Sequence, residues 1–140
     1  MKGGEVVLKL PHSISVFNRY DENGEEILVR KELHGVLFES IDAASRGRLG
    51  LSPADTATVY IPRRVYSDEY VDEYTWLHGD AEFKAAHLTF RKGDYVAKGI
   101  VSLEGVDIND YKNDNGNLYE ITEVTHRDYG GLQHIFLTLG

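Results

Sequence analysis

Two runs of β-type residues, Ser13 to Tyr20 and Glu25 to Glu39, lie on either side of Asp21-Glu22-Asn23-Gly24. An Asn-Gly pair between such runs is the strongest short signal for a hairpin, because both residues tolerate the positive φ of the tightest turns. In the second arm Ile27, Val29 and Leu33 share one face while Arg30, Glu32 and His34 take the other. That period of two marks a half-buried strand. Gly35 interrupts the arm and predicts a bulge or a sharp bend. Thr56 to Ile61 reads as a further strand, ended by Pro62, which brings no donor to a ladder. Leu88 to Phe90 and Tyr95 to Ala97 read as short strands joined by Arg91-Lys92-Gly93-Asp94, with Ile100 to Leu103 continuing after Gly99. Leu118 to Thr125 and Leu132 to Leu139 form a closing pair around Asp128-Tyr129-Gly130-Gly131, and Ile135, Leu137 and Leu139 point together. In its first arm Tyr119 and Ile121 share a face that Val124 does not, so a bulge is expected there too.

Between these runs the pattern changes. Ser40 to Pro53 dissolves into Ser, Gly, Arg and Asp and reads as a long loop. Ser67 to Gly79, acidic and aromatic, reads as a second long loop with a strand around Tyr74 to Leu77. Asp80 to Ala86 suits one helical turn or two. Asp107 would cap a short helix carrying Ile108 and Tyr111, ahead of the turn-rich Asn113-Asp114-Asn115-Gly116. About eight short strands with regularly spaced turn signals predict an all-β domain, a small barrel or sandwich with at most one short helix. At 140 residues the chain suits one such domain with one sizeable core.

Composition narrows the function more than the fold. Nine Tyr and five Phe favour strands, since rings pack well on pleated surfaces. With no cysteine, the chain has no disulfide, iron–sulfur or thiolate zinc chemistry, which suits a reducing compartment. Val6 to Leu8 is too short for the core of a signal peptide, and no apolar run is long enough to cross a bilayer, so no membrane partner is expected. A formal net charge of −8 opposes the counterion release on which tight, non-specific nucleic-acid binding depends. Passing contact with DNA is still compatible with it.

Candidate chemistry is sparse. His12, His34, His78 and His87 are scattered, in no metal-binding spacing. If the closing hairpin is centred on Gly130, His126 and His134 face each other, close enough to share a metal. A zinc site wants a third ligand at least, and cross-strand polar packing is the alternative. No Ser lies in a nucleophile elbow, and no glycine run matches a P-loop or dinucleotide fingerprint. Asp68-Glu69 and Asp72-Glu73 are paired carboxylates in a polar loop, where solvation is their ordinary role. Asp107, Asn109, Asp110, Asp114 and Asn115 form a loose calcium-like set without the EF-hand spacing or its closing Glu, and suit capping and turns. The expectation is no catalytic residue, no cofactor and no metal. Tyr66, Tyr70, Tyr74 and Trp76 have two readings. Exposed, they make a partner or sugar-binding surface at low entropic cost; buried, they cover the core from a long loop. Tyr70, Tyr74 and Trp76 are the expected anchors of a partner interface.

One longer pattern runs through the chain. It comprises Leu10-Pro11-His12-Ser13-Ile14, the Asn23-Gly24 hairpin, Leu33-His34-Gly35-Val36 and Ala54-Asp55-Thr56-Ala57-Thr58-Val59-Tyr60-Ile61-Pro62. Then follow Phe90-Arg91-Lys92-Gly93-Asp94-Tyr95-Val96, Asn117-Leu118-Tyr119-Glu120-Ile121-Thr122-Glu123-Val124 and Arg127-Asp128-Tyr129-Gly130-Gly131-Leu132-Gln133-His134. In this order they resemble a family of small structural proteins of long-tailed (siphovirus-like) bacteriophages and prophages, of the head–tail joining type. The resemblance implies a small β-barrel without an active site, part of a ring between portal and tail as stopper, adaptor or neck protein. It implies as partners other copies of the chain, the portal or adaptor, and tail-completion or tail-tube proteins. The implied location is the virion, assembled in the bacterial host cytoplasm. An acidic channel in such a ring would let DNA pass without sticking, since like charges supply no counterion release. A tail, baseplate or capsid-decorating part is the alternative of the same kind, and a carbohydrate-binding module the alternative of another.

Overall fold

The computed structural model describes residues 10–40, 57–103, 118–129 and 132–140. Strands β1 (His12–Glu22) and β2 (Glu25–Ser40) pair from Glu22↔Glu25 up to Ser13↔His34. Asn23 and Gly24 between them have φ of 52° and 82°, the two-residue turn whose twist matches that of the strands. Beyond Ser13 the register skips Gly35, at φ 84°, so that His12 pairs with Val36. This is the bulge that the glycine predicts, and it puts buried Val36 and Phe38 on the face already used by Leu33.

The remaining strands are β3 (Ala57–Pro62), β4 (Tyr95–Lys98), β5 (Leu118–Tyr129) and β6 (Leu132–Leu139). All pairings are antiparallel and close on themselves in the order β1-β2-β3-β6-β5-β4, a barrel. Thr122 is passed over between Ile121↔Leu139 and Glu123↔Thr138, the second expected bulge. The all-β expectation holds, with six strands rather than about eight among the described residues. Inside lie Ile14, Val16, Val59, Ile61, Val96, Ile121, Ile135, Leu137 and Leu139, each such burial contributing about 1.5–3 kcal/mol.

Ile100 to Leu103 is not a strand. Gly99, at φ 84°, turns the chain out of the sheet, and residues 99–103 cross the outer face of β1. There the Gly99 N–H donates to Ser13 O, and Ser15 Oγ donates to Gly99 O and accepts from Val101 N–H. Beneath this strap Phe17, Ala97, Leu103 and Leu118 form a second apolar cluster. Strand β1 is therefore buried on both faces.

Among the described residues three short helices stand where at most one was expected: α1 (Arg63–Tyr66), α2 (Glu73–His78) and α3 (Ala81–Ala86). The strand expected around Tyr74 to Leu77 is α2, because Asp72 caps it by accepting from the Thr75 N–H at 2.8 Å. Asp80 caps α3 in the same way through Phe83 N–H, so the expected helix after Asp80 is present. Leu88 to Phe90 makes only an isolated bridge, Leu88 to Tyr70, in place of a strand. The Ser40 to Pro53 loop (Ser40 itself ends β2), the Asp107 helix and the calcium-like set from Asp107 to Asn115 lie outside the described residues.

The described connections gather at one end of the barrel. Strand β3 runs antiparallel to both β2 and β6, so the turns preceding β2 and β6 lie at one end. Strand β3 descends to that end, and β4, antiparallel to β1, starts from it. Residues 63–94, which join β3 to β4, therefore plug the end from which both hairpins project.

Candidate functional site

The richest polar chemistry sits where the plug meets β1. Asn18 continues the inward row of Ile14 and Val16, yet it is fully buried. Its amide donates to Thr89 O at 2.7 Å and Asp94 Oδ2 at 2.9 Å, and its oxygen accepts from Thr89 N–H. Asp94, also fully buried, takes the Arg91 guanidinium on both oxygens at 3.0–3.2 Å and the Arg19 N–H on one. Burial pushes the Asp94 carboxyl above the usual carboxylate range, against the opposing pull of Arg91 and Asn18. Arg91 also donates to Arg19 O, and Arg19 donates to Gly93 O, pairs with Glu26 at 2.9 Å and covers the Tyr95 ring. A half-satisfied buried network is costly, whereas a saturated one fixes a single arrangement. Here the Arg91-Lys92-Gly93-Asp94 turn is clamped to β1, so its first role is positional. The sequence marks it only as a turn, because Asn18 and Asp94 lie 76 positions apart.

The four rings of the plug divide. Trp76 is fully buried, its indole N–H donating to His87 O and its ring edge-on to Tyr20 at 5.8 Å. It is thus sealed within this chain and unavailable as a partner anchor. Tyr66 is buried, and Tyr70 is half-buried against Tyr66 and Phe90. Burial first, then Asp72, raises the Tyr70 phenol above its ordinary value. Only Tyr74 stands out, 71% exposed and stacked on His78, with Leu77 36% exposed near it. The expected three-ring interface is therefore one exposed ring with Tyr70 at the rim, and the four rings do not form a flat stacking platform for sugars.

The histidines serve local geometry. His12 Nδ1 accepts from Phe38 N–H, His34 bonds Ser13 Oγ, and His78 and His87 bond the carbonyls of Tyr74 and Phe83. His126 pairs with Ile135, and His134 pairs with Arg127. The pairing, which starts from Tyr129↔Leu132, is one position from the expected register, and a one-residue slip puts the rings on opposite faces. His126 meets Tyr70, whereas His134 stacks on Tyr60 at 4.4 Å. Among the described residues no three His, Asp or Glu side chains gather where they would hold a metal.

Beside the clamp lies a cleft of about 420 Å³, lined by the end of the first hairpin (Arg19, Tyr20, Asp21, Glu26), by Leu77 and Lys84 of the plug, and by residues 91–94. Lys84 is only 6% exposed. Its ammonium donates to Gly79 O and lies over the Tyr20 and Trp76 rings, 4.6 and 5.6 Å from their centroids. No local pattern announces it, since in the stretch Ala81-Glu82-Phe83-Lys84-Ala85-Ala86 it reads as a solvated lysine.

Among known proteins, the model of a family of unknown function (DUF6751) matches residues 10–138. The match spans nearly the whole chain, and the chain belongs to that family. No curated protein and no solved structure matches it.

Proposed function

We propose that this chain is a non-catalytic structural subunit of a long-tailed phage virion, built into a ring at the head–tail junction as a stopper, adaptor or neck component. The observation that carries the reading is the exposed ring of Tyr74 on the plug at one end of the barrel. The turn of the first hairpin and the plug gather at one end of the barrel, and Tyr74 is exposed on that plug. A ring built head to tail joins unlike faces of neighbouring subunits, and on this reading the plug with Tyr74 is one of them. The resemblance of the motif order to that of head–tail joining proteins supports the same reading. The partners on this reading are neighbouring copies, the portal or adaptor above, and tail-completion or tail-tube proteins below. DNA passes through without tight binding, in keeping with the net charge of −8.

Deletion of the gene from the phage genome tests the proposal. Electron microscopy of the lysate should show filled or leaking heads separate from intact tails, with joining restored by the gene in trans. Joined particles lacking only a surface or baseplate feature would refute the junction and favour a tail or decorating part.

A further inference from the structure

We propose that the cleft between the first hairpin and the plug is a binding site for a phosphate-class oxyanion. The argument is one of charge left over. Four cations and three carboxylates line the cleft, in a chain whose net charge is −8. Asp94 is saturated by Arg91, Asn18 and the Arg19 N–H, and Glu26 is taken by Arg19. Among the described residues neither Lys84 nor Lys92 pairs with a carboxylate. Asp21, at the exposed rim, is the one acid that faces them without an ion pair among those residues.

Lys84 is the unusual member. The residue is almost wholly buried, yet its ammonium has one oxygen acceptor and otherwise only ring faces. An ion with so few acceptors is costly to bury, and a bound anion would supply what is missing. A doubly charged oxyanion matches two lysines better than a carboxylate does. The exposed edge of Leu77 leaves room for a small organic body on the same ligand. Free phosphate esters and the backbone of a nucleic acid share this chemistry. The proposal is independent of the assembly reading, because the site would exist in an isolated subunit.

The single tryptophan reports on it directly, since Trp76 lies against Lys84. The full chain is titrated with inorganic phosphate, and separately with a short single-stranded oligodeoxynucleotide, at constant ionic strength with chloride as reference. We expect a saturable change in Trp76 fluorescence that chloride does not give. Lys92→Gln should weaken it at least tenfold, Lys84→Met should abolish it, and Arg30→Gln, outside the cleft, should leave it unchanged. Tighter binding of inorganic phosphate identifies free esters as the source, and tighter binding of the oligonucleotide identifies a nucleic-acid backbone. Absence of saturation in both arms overturns the proposal, and so does saturation that survives Lys92→Gln, an exposed change that leaves the fold intact whatever Lys84→Met does.

Discussion

The barrel wall and the plug are held by different physics. In the wall, alternate residues face one core and every strand has two partners, so the apolar contacts are many and mutually redundant. The plug, residues 63–94, adds Tyr66, Leu88 and Phe90 to that core and is otherwise fixed by single anchors. These are the Asp72 and Asp80 caps, the Trp76 indole on His87 O, Lys84 on Gly79 O, and the Asn18–Asp94–Arg91 clamp. Even Gly79 belongs to this set, since a methyl group there would collide with the Phe83 ring. Redundant packing tolerates substitution, whereas a single anchor does not. The plug is therefore where one change should matter most.

The largest effect should come from Trp76→Ala, which empties a fully buried site of the plug beside Tyr20. A loss of about 3–5 kcal/mol is expected from denaturant unfolding followed by circular dichroism. In the wall, Ile135→Val should lose only about 1 kcal/mol. Equal losses at the two positions would erase the distinction. Next comes Asp94→Ala, which strands the largely buried Arg91 guanidinium and removes an acceptor from Asn18, at a cost of about 3 kcal/mol. Asp94→Asn keeps one acceptor and should lose less. If both variants unfold like the parent chain, the clamp contributes no stability.

The same contrast explains what could be read beforehand. Period-two alternation placed Ile27, Val29 and Leu33 on one face, and Gly35 and the Ile121–Val124 parity change announced both bulges, because those signals are local. The plug's contacts are not local. Nothing near Asn18 indicates Thr89 or Asp94, and nothing near Tyr20 indicates Trp76 or Lys84. An aromatic-acidic stretch such as Ser67 to Gly79 reads equally well as loop, strand or helix until a cap decides, and Asp72 decides for helix. Of the expected interface, nothing local separates exposed Tyr74 from buried Trp76, whose burial depends on a hairpin more than fifty positions away. The cleft, assembled from three distant segments, left no trace in any one of them.

Smaller effects sharpen the comparison. Asp80→Ala removes one cap bond from α3 and should cost about 1 kcal/mol, seen as faster amide exchange at Phe83. Asp72 gives a dependence on pH. The Thr75 N–H and hydroxyl hold its carboxyl below the ordinary aspartate value. Its contribution to the folded state is thus complete above the ordinary value and is lost as pH falls through the lowered one. Amide exchange in α2 should quicken over that acid window, and Asp72→Ala should be fast at every pH. Exchange in the parent that ignores the window would contradict the cap.

The smallest effect on stability is expected at Tyr74, and there the assembly reading is most exposed. Tyr74→Ala should leave the unfolding free energy within about 0.5 kcal/mol of the parent, as exposed substitutions do. Truncating an aromatic anchor at an interface nevertheless removes about 2 kcal/mol or more of binding. The decisive measurement is the copy number of the chain in purified phage particles, by quantitative mass spectrometry, for the parent and for Tyr74→Ala. The account predicts a fixed, ring-sized number of parent copies per particle and strong depletion of the variant. Particles that contain no parent chain, or that take up Tyr74→Ala at the parental level, would contradict it.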